Sequence, residues 1–290
     1  MYQTDPPRSP KDVLPTMYDL PSEDPEEPGL PDQFHILQPR LLDETFRPLN
    51  YPSDEIFVAS DLNLYYDPRH PLWYKRPDWF AVLGVSRLYE QRDLRLSYVI
   101  WQEGVHPFIV VELLSPGTEK EDLGQTLRDI EQPPGKWEVY EQILRIPYYV
   151  VFDRYKYQLR VFKLNGGRYT EVALSDSRFW IPELELGLGV WQGRYQDVEQ
   201  PWLRWYDWTG CWVLTSTEQQ TQRAEQEKQR AEQEKQRAEQ EKQRAEQEKQ
   251  RAEQEKQRAE QEKQRAEQEK QRAEKLLAQL RSLGFEPDID

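Results

Sequence analysis

Residues 106–117 read His-Pro-Phe-Ile-Val-Val-Glu-Leu-Leu-Ser-Pro-Gly. Residues 108–114 form an apolar run of strand length with one carboxylate inside it, and Ser115-Pro116-Gly117 turns the chain immediately afterwards. Side chains alternate along a strand, so Glu112 falls on the face of Phe108, Val110 and Leu114. An ionised carboxylate is costly there unless a cation, hydrogen bonds or a metal compensates it. The plain alternative is a buried Glu paired with an Arg for stability; the setting favours function.

Working outward, a second carboxylate stands out upstream. Asp78 follows Arg76-Pro77 and opens the apolar run Trp-Phe-Ala-Val-Leu-Gly-Val. Further strands are expected over residues 56–59, 79–85, 96–101, 148–153, 158–164 and 168–174, with Asn165-Gly166-Gly167 as a hairpin turn. A short helix is expected over residues 39–46, with Pro39 tolerated in its first turn. Thr118-x-x-Glu121 is a capping-box pattern that opens another helix. Pro133-Pro134-Gly135 breaks that helix, and a further one runs over residues 136–145. On it Lys136 shares the inward face with Tyr140 and Ile143. A lysine in a first helical turn opposes the helix dipole, so an anion would suit it, although a surface lysine is the plainer reading. The pattern predicts a mixed α/β domain.

The final third of the 290-residue chain is different in kind. From Ala224 to Arg272 the heptad Ala-Glu-Gln-Glu-Lys-Gln-Arg repeats seven times without a mismatch. Each residue is a good helix former, and Glu reaches Lys or Arg three positions on. One Ala per heptad buries little against a partner, so the repeats predict a lone charged helix. Leu276, Leu277, Leu280 and Leu283 make a real stripe near the end, which could seed homo-oligomers. The expected organisation is an acidic Pro-rich arm over residues 1–34, a domain over 35–214, the helix over 215–283 and a tail over 284–290.

The net charge of −14 comes from outside the repeats, which are neutral. A mildly acidic domain argues against a general nucleic-acid coat, but not against an enzyme that meets phosphate through bound metal. Cys211 is the single cysteine, which excludes intramolecular disulfides and cysteine-rich zinc sites. The histidines are scattered. No apolar run is long enough to span a bilayer and the start lacks a signal-peptide core, so a cytoplasmic address without membrane contact is expected.

The stretches RPDWFAVLGV, HPFIVVELLSPGTEKEDLG and KWEVYEQILRIPYYVVFDR resemble the bacterial Uma-type restriction endonuclease family of the PD-(D/E)XK nuclease superfamily. That family has a Pro-Asp strand, a Val-Val-Glu strand closed by Ser-Pro, a Lys four residues before a Tyr, and an apolar strand ending in Asp. The resemblance covers roughly residues 61–164 and implies a restriction-endonuclease-like core with added β-hairpins. It makes Asp78 and Glu112 ligands for Mg²⁺ or Mn²⁺, Lys136 the active-site lysine, and DNA the substrate. The superfamily's lysine normally sits two residues after the Glu, where this chain has Leu114; Lys120 is the alternative to Lys136. Superfamily members usually add a carboxylate from an N-terminal helix, for which Glu27 and Glu44 are the candidates.

Two functions follow. The first is a metal-dependent DNA endonuclease hydrolysing phosphodiester bonds. The alternative is a catalytically inactive nuclease fold acting as a binding or scaffold module, with the helix as spacer or oligomerisation arm. Arg87, Arg92 and Arg95, near Tyr89, could touch phosphate, although a solvated loop explains them more simply.

Overall fold

The structure, a computed structural model, describes residues 32–115, 119–125 and 132–282. Strands arise where β-branched and aromatic residues cluster. In chain order they are β1 (Ile56–Ala59), β2 (Leu64–Tyr65), β3 (Tyr74–Lys75), β4 (Trp79–Leu83), β5 (Tyr98–Val99) and β6 (Ile109–Leu114). They continue with β7 (Tyr148–Asp153), β8 (Gln158–Asn165), β9 (Arg168–Glu171), β10 (Arg178–Ile181), β11 (Leu186–Tyr195) and β12 (Val198–Tyr206). The helices are α1 (Gln33–Thr45), α2 (Ile100–Glu103), α3 (Glu119–Asp122), α4 (Lys136–Glu138) and α5 (Ser216–Ser282).

The central sheet has six strands in the order β1-β4-β6-β7-β8-β9. Only β6 and β7 run parallel, with Glu112 opposite Val151 and Leu114 opposite Asp153. All six residues of β6 and all six of β7 are buried. Both faces of the sheet are covered, as a near-continuous apolar run requires. On one face lie α1 and the antiparallel sheet β10-β11-β12, meeting Ile109, Val111 and Leu113. On the other lie β2, β5 and the segment around Tyr140, meeting Val110, Leu114 and Val151. This is the expected mixed α/β architecture, followed by one long helix.

Several elements depart from the sequence reading. Helix α1 begins at Gln33, because the Asp32 carboxylate accepts the His35 N–H at 3.1 Å and caps the helix there. Gln33 and Phe34 therefore belong to the domain, not to an arm. The Gln38 amide pairs with both backbone groups of Leu203, at 2.8 Å each, and fastens α1 to β12. Residues 96–101 split into the short β5 and helix α2, which stops at Gly104, held in the left-handed region at φ 71°. Residues 136–145 form one α-helical turn that passes into a π-helix at Val139–Ile143, closed by Leu144 N–H donating to the Val139 carbonyl at 2.8 Å. Phe108 precedes β6 and packs with the α1 face, opposite Glu112. The β10-β11-β12 sheet had no counterpart in the sequence reading. Gly166 and Gly167 both take positive φ in the expected hairpin turn between β8 and β9.

The chain divides into two compact units at Glu218. Thr215 and Glu218 form a capping box for α5: the Thr215 N–H donates to Glu218 at 2.7 Å, and the Glu218 N–H donates to the Thr215 hydroxyl at 3.3 Å. Arg204, 2 % exposed, donates to Glu218 and to the Val213 carbonyl. Helix α5 then runs for 67 residues and buries none of them. Leu276 and Leu280 are 58 % and 38 % exposed. Leu283, Glu27 and Thr118 lie outside the described residues. No described helix is long and apolar enough to cross a membrane.

Candidate active site

Four segments bring charge to one place in the core. Strand β6 carries Glu112, whose side chain is fully buried, and the residue before β4 is Asp78. Helix α4 opens on Lys136, and α3 ends on Asp122. The Lys136 ammonium lies 2.9 Å from Glu112 Oε2 and 2.9 Å from Asp122 Oδ1. The other Glu112 oxygen accepts from the Tyr140 hydroxyl at 2.8 Å. Asp78 joins through its backbone, its N–H standing 3.4 Å from Glu112 Oε2. Its carboxylate accepts the Leu113 N–H at 2.6 Å. The structure thus brings Asp78, Glu112 and Lys136 together. Lys120 is exposed on α3, pointing its helix's charge outward.

The electrostatics follow from this crowding. Burial pushes Glu112 well above the usual carboxylate range, and Asp78 and Asp122 add to the shift while Lys136 opposes it. Burial works against the Lys136 ammonium, but Asp122, Glu112 and Asp78 outweigh it and hold the group well above the ordinary lysine value. Burial and the neighbouring Glu112 raise Tyr140 likewise. Lys136 is therefore an ammonium at neutral pH, a hydrogen-bond donor and not a base.

His35 extends the site along α1. Its ring nitrogens face two acceptors, Asp32 Oδ1 at 2.9 Å and the Leu113 carbonyl at 3.1 Å. A neutral imidazole could donate to only one of them, so the arrangement calls for the imidazolium. Burial would lower its pKa, but the Asp32 hydrogen bond, the Asp78 charge and the Leu113 carbonyl raise it above 6.5.

Two residues here escaped the sequence reading. Asp122 is the carboxylate beside Lys136, whereas Glu44 is occupied with Arg40 at 3.2 Å and with the Tyr195 hydroxyl at 3.1 Å. Within Glu119-Lys-Glu-Asp122 nothing in the sequence separates Asp122 from its exposed-looking neighbours. His35 was missed because the start of α1 was placed too late. Arg95 is neither a phosphate ligand nor a solvated loop residue: it is 3 % exposed, 2.7 Å from Glu103, and stacks on Phe57.

Among the described residues no three acidic, histidine or cysteine side chains form a metal-holding group. The donor set nevertheless suits a hard divalent cation. Two buried carboxylates, Glu112 and Asp122, share one ammonium, and Asp78 beside them is partly exposed. Asp78 and Glu112 would hold such a cation, with water and substrate oxygens completing its shell.

The chain is a member of the Uma2 family, described as "Putative restriction endonuclease", whose model matches residues 14–199, well over half of the chain. No curated protein matches it. A solved structure described as a "putative nuclease belonging to DUF820" from Anabaena variabilis is similar at 12 % identity, over 55 % of this chain and 77 % of that one. Its TM-score is 0.36, and at that value the likeness carries no weight.

Proposed function

We propose that the domain is a metal-dependent DNA endonuclease that hydrolyses phosphodiester bonds at the Asp78–Glu112–Lys136 site, with Mg²⁺ or Mn²⁺. The observation supporting this is the 2.9 Å contact of Lys136 with Glu112, beside Asp78, in a domain of the restriction endonuclease family. A divalent cation bound there lowers the pKa of its water and offsets charge on the phosphoryl oxygens. Glu112 is kept in one orientation by Tyr140, and Asp78 by the Leu113 N–H, so both carboxylates are preorganised. Lys136, kept protonated, donates to the developing oxyanion or to the attacking water's oxygen and does not remove a proton. The mild acidity of the domain predicts weak, salt-sensitive DNA binding.

The test is cleavage of plasmid and linear DNA at low ionic strength with each cation. Wild-type protein and Lys120→Ala should cut. Glu112→Gln and Lys136→Ala should lose on the order of a hundredfold or more in rate. A wild-type protein inert with both cations and both DNA forms would favour the inactive-fold alternative, with α5 as spacer or oligomerisation arm.

A further inference from the structure

Lys136 is placed where it competes with the cation the site is meant to bind. Its ammonium sits on Glu112 Oε2 at 2.9 Å, the same oxygen that faces the Asp78 N–H at 3.4 Å. The second Glu112 oxygen is taken by Tyr140 at 2.8 Å. A cation that bonds to Oε2 would meet the ammonium there, and the two positive charges would repel. Expelling a lysine that is 15 % exposed into open solvent would break its buried pairs with both Glu112 and Asp122. No such expulsion is needed, because Asp122, 1 % exposed, already pairs with the same ammonium at 2.9 Å.

We propose that Asp122 is the positioning residue that receives Lys136 when metal takes Glu112. This rests on the metal-dependent reading given above. In the metal-free protein Lys136 neutralises two carboxylates at once. On metal binding it yields Glu112 and remains on Asp122. Asp122 thereby lowers the cost of metal entry and keeps the lysine within reach of the metal-bound substrate. Asp122 acts through Lys136 and is not itself a ligand. Its own segment is secured from the neighbouring strand, since the Tyr149 hydroxyl donates to the Asp122 carbonyl at 2.9 Å, so the acceptor for Lys136 is fixed in place.

The proposal makes a double-mutant cycle decisive. Mn²⁺ affinity is measured by calorimetry on the full chain, with circular dichroism confirming the fold of each variant. Lys136→Met removes the competing cation and should bind Mn²⁺ roughly tenfold tighter than wild type. Asp122→Asn strands the lysine on Glu112 and should bind roughly tenfold more weakly, with Asp122→Glu restoring affinity. In the Lys136→Met background the Asp122→Asn penalty should vanish. An equal penalty in both backgrounds would make Asp122 a ligand or a distant charge and overturn the proposal, as would unchanged affinity in Asp122→Asn. If Lys136→Met fails to fold, Lys136→Gln takes its place as the lysine-free background of the cycle. Wild-type protein that binds no Mn²⁺ would instead sink the metal-dependent function, and this proposal with it.

Discussion

Asp78 and Leu113 are joined by a 2.6 Å hydrogen bond from the Leu113 N–H to Asp78 Oδ2. The peptide that donates it directly follows Glu112. One segment of β6 therefore orients both carboxylates, one through its side chain and the other through its backbone. Asp78→Asn retains an acceptor for that N–H, whereas Asp78→Ala leaves it unpaired. Asp78→Ala should cost about 1–3 kcal/mol of stability and Asp78→Asn much less, while both lose divalent-cation affinity. Chemical denaturation beside calorimetry checks this. Equal destabilisation by the two variants would show that the bond does not hold the carboxylate.

Tyr140→Phe isolates the hydroxyl that fixes the second Glu112 oxygen. It removes one donor from a buried carboxylate without opening a cavity, so stability should fall by about 1–3 kcal/mol. The ring still packs, so the near-ultraviolet dichroism should be retained. A variant as stable as wild type would mean that Glu112 finds another donor.

The raised pKa of His35 gives a pH dependence with a definite sign. Its folded value lies above the ordinary 6.5, so its contribution is complete below about 6.5 and disappears as pH rises through the folded value. Wild-type stability relative to His35→Leu should therefore shrink between roughly pH 6 and pH 9. Denaturant titrations at those two values measure it, and a gap that widens with pH would refute the imidazolium assignment.

Glu218 links the capping box to a nearly buried guanidinium, so Glu218→Ala should act on the domain more than on the helix. Losing the cap costs on the order of 1 kcal/mol, and leaving Arg204 without its carboxylate on the order of 3 kcal/mol. Thermal denaturation of the full chain should show the loss. A separate peptide of residues 216–282 should be strongly helical at low concentration, since no described residue of α5 is buried. Helicity that rises with concentration would instead indicate association through Leu276 and Leu280.

How much of this was legible in the sequence depends on how each residue announces itself. Glu112 was visible because a lone charge inside an apolar strand has no solvent face to use. Strand β7 was visible for the same reason, and its bounds fall where the apolar run placed them. Lys136 read by itself as a surface lysine, and only the family resemblance, with its Lys four residues before a Tyr, singled it out; the π-turn that follows it left no sign. A π-turn arises from the packing of its neighbours and leaves no periodic trace. Asp122 sits in a polar run that looks solvated, and only the fold turns it inward. The β10-β11-β12 sheet was hidden by Gly187, Gly189, Gly193 and Pro201, residues that ordinarily mark loops. Here Gly187 serves packing: a methyl group on it would strike the Tyr206 ring.

The seven identical heptads of α5 make its length adjustable by whole units. One heptad adds about 10.5 Å of rise and returns the helix face to within about 20° of its starting azimuth. Because every unit is charge-neutral and identical, gaining or losing one changes neither the net charge nor the pattern displayed to solvent. Adding or removing whole heptads would thus change the length of the helix in fixed steps while leaving the Thr215–Glu218 cap untouched.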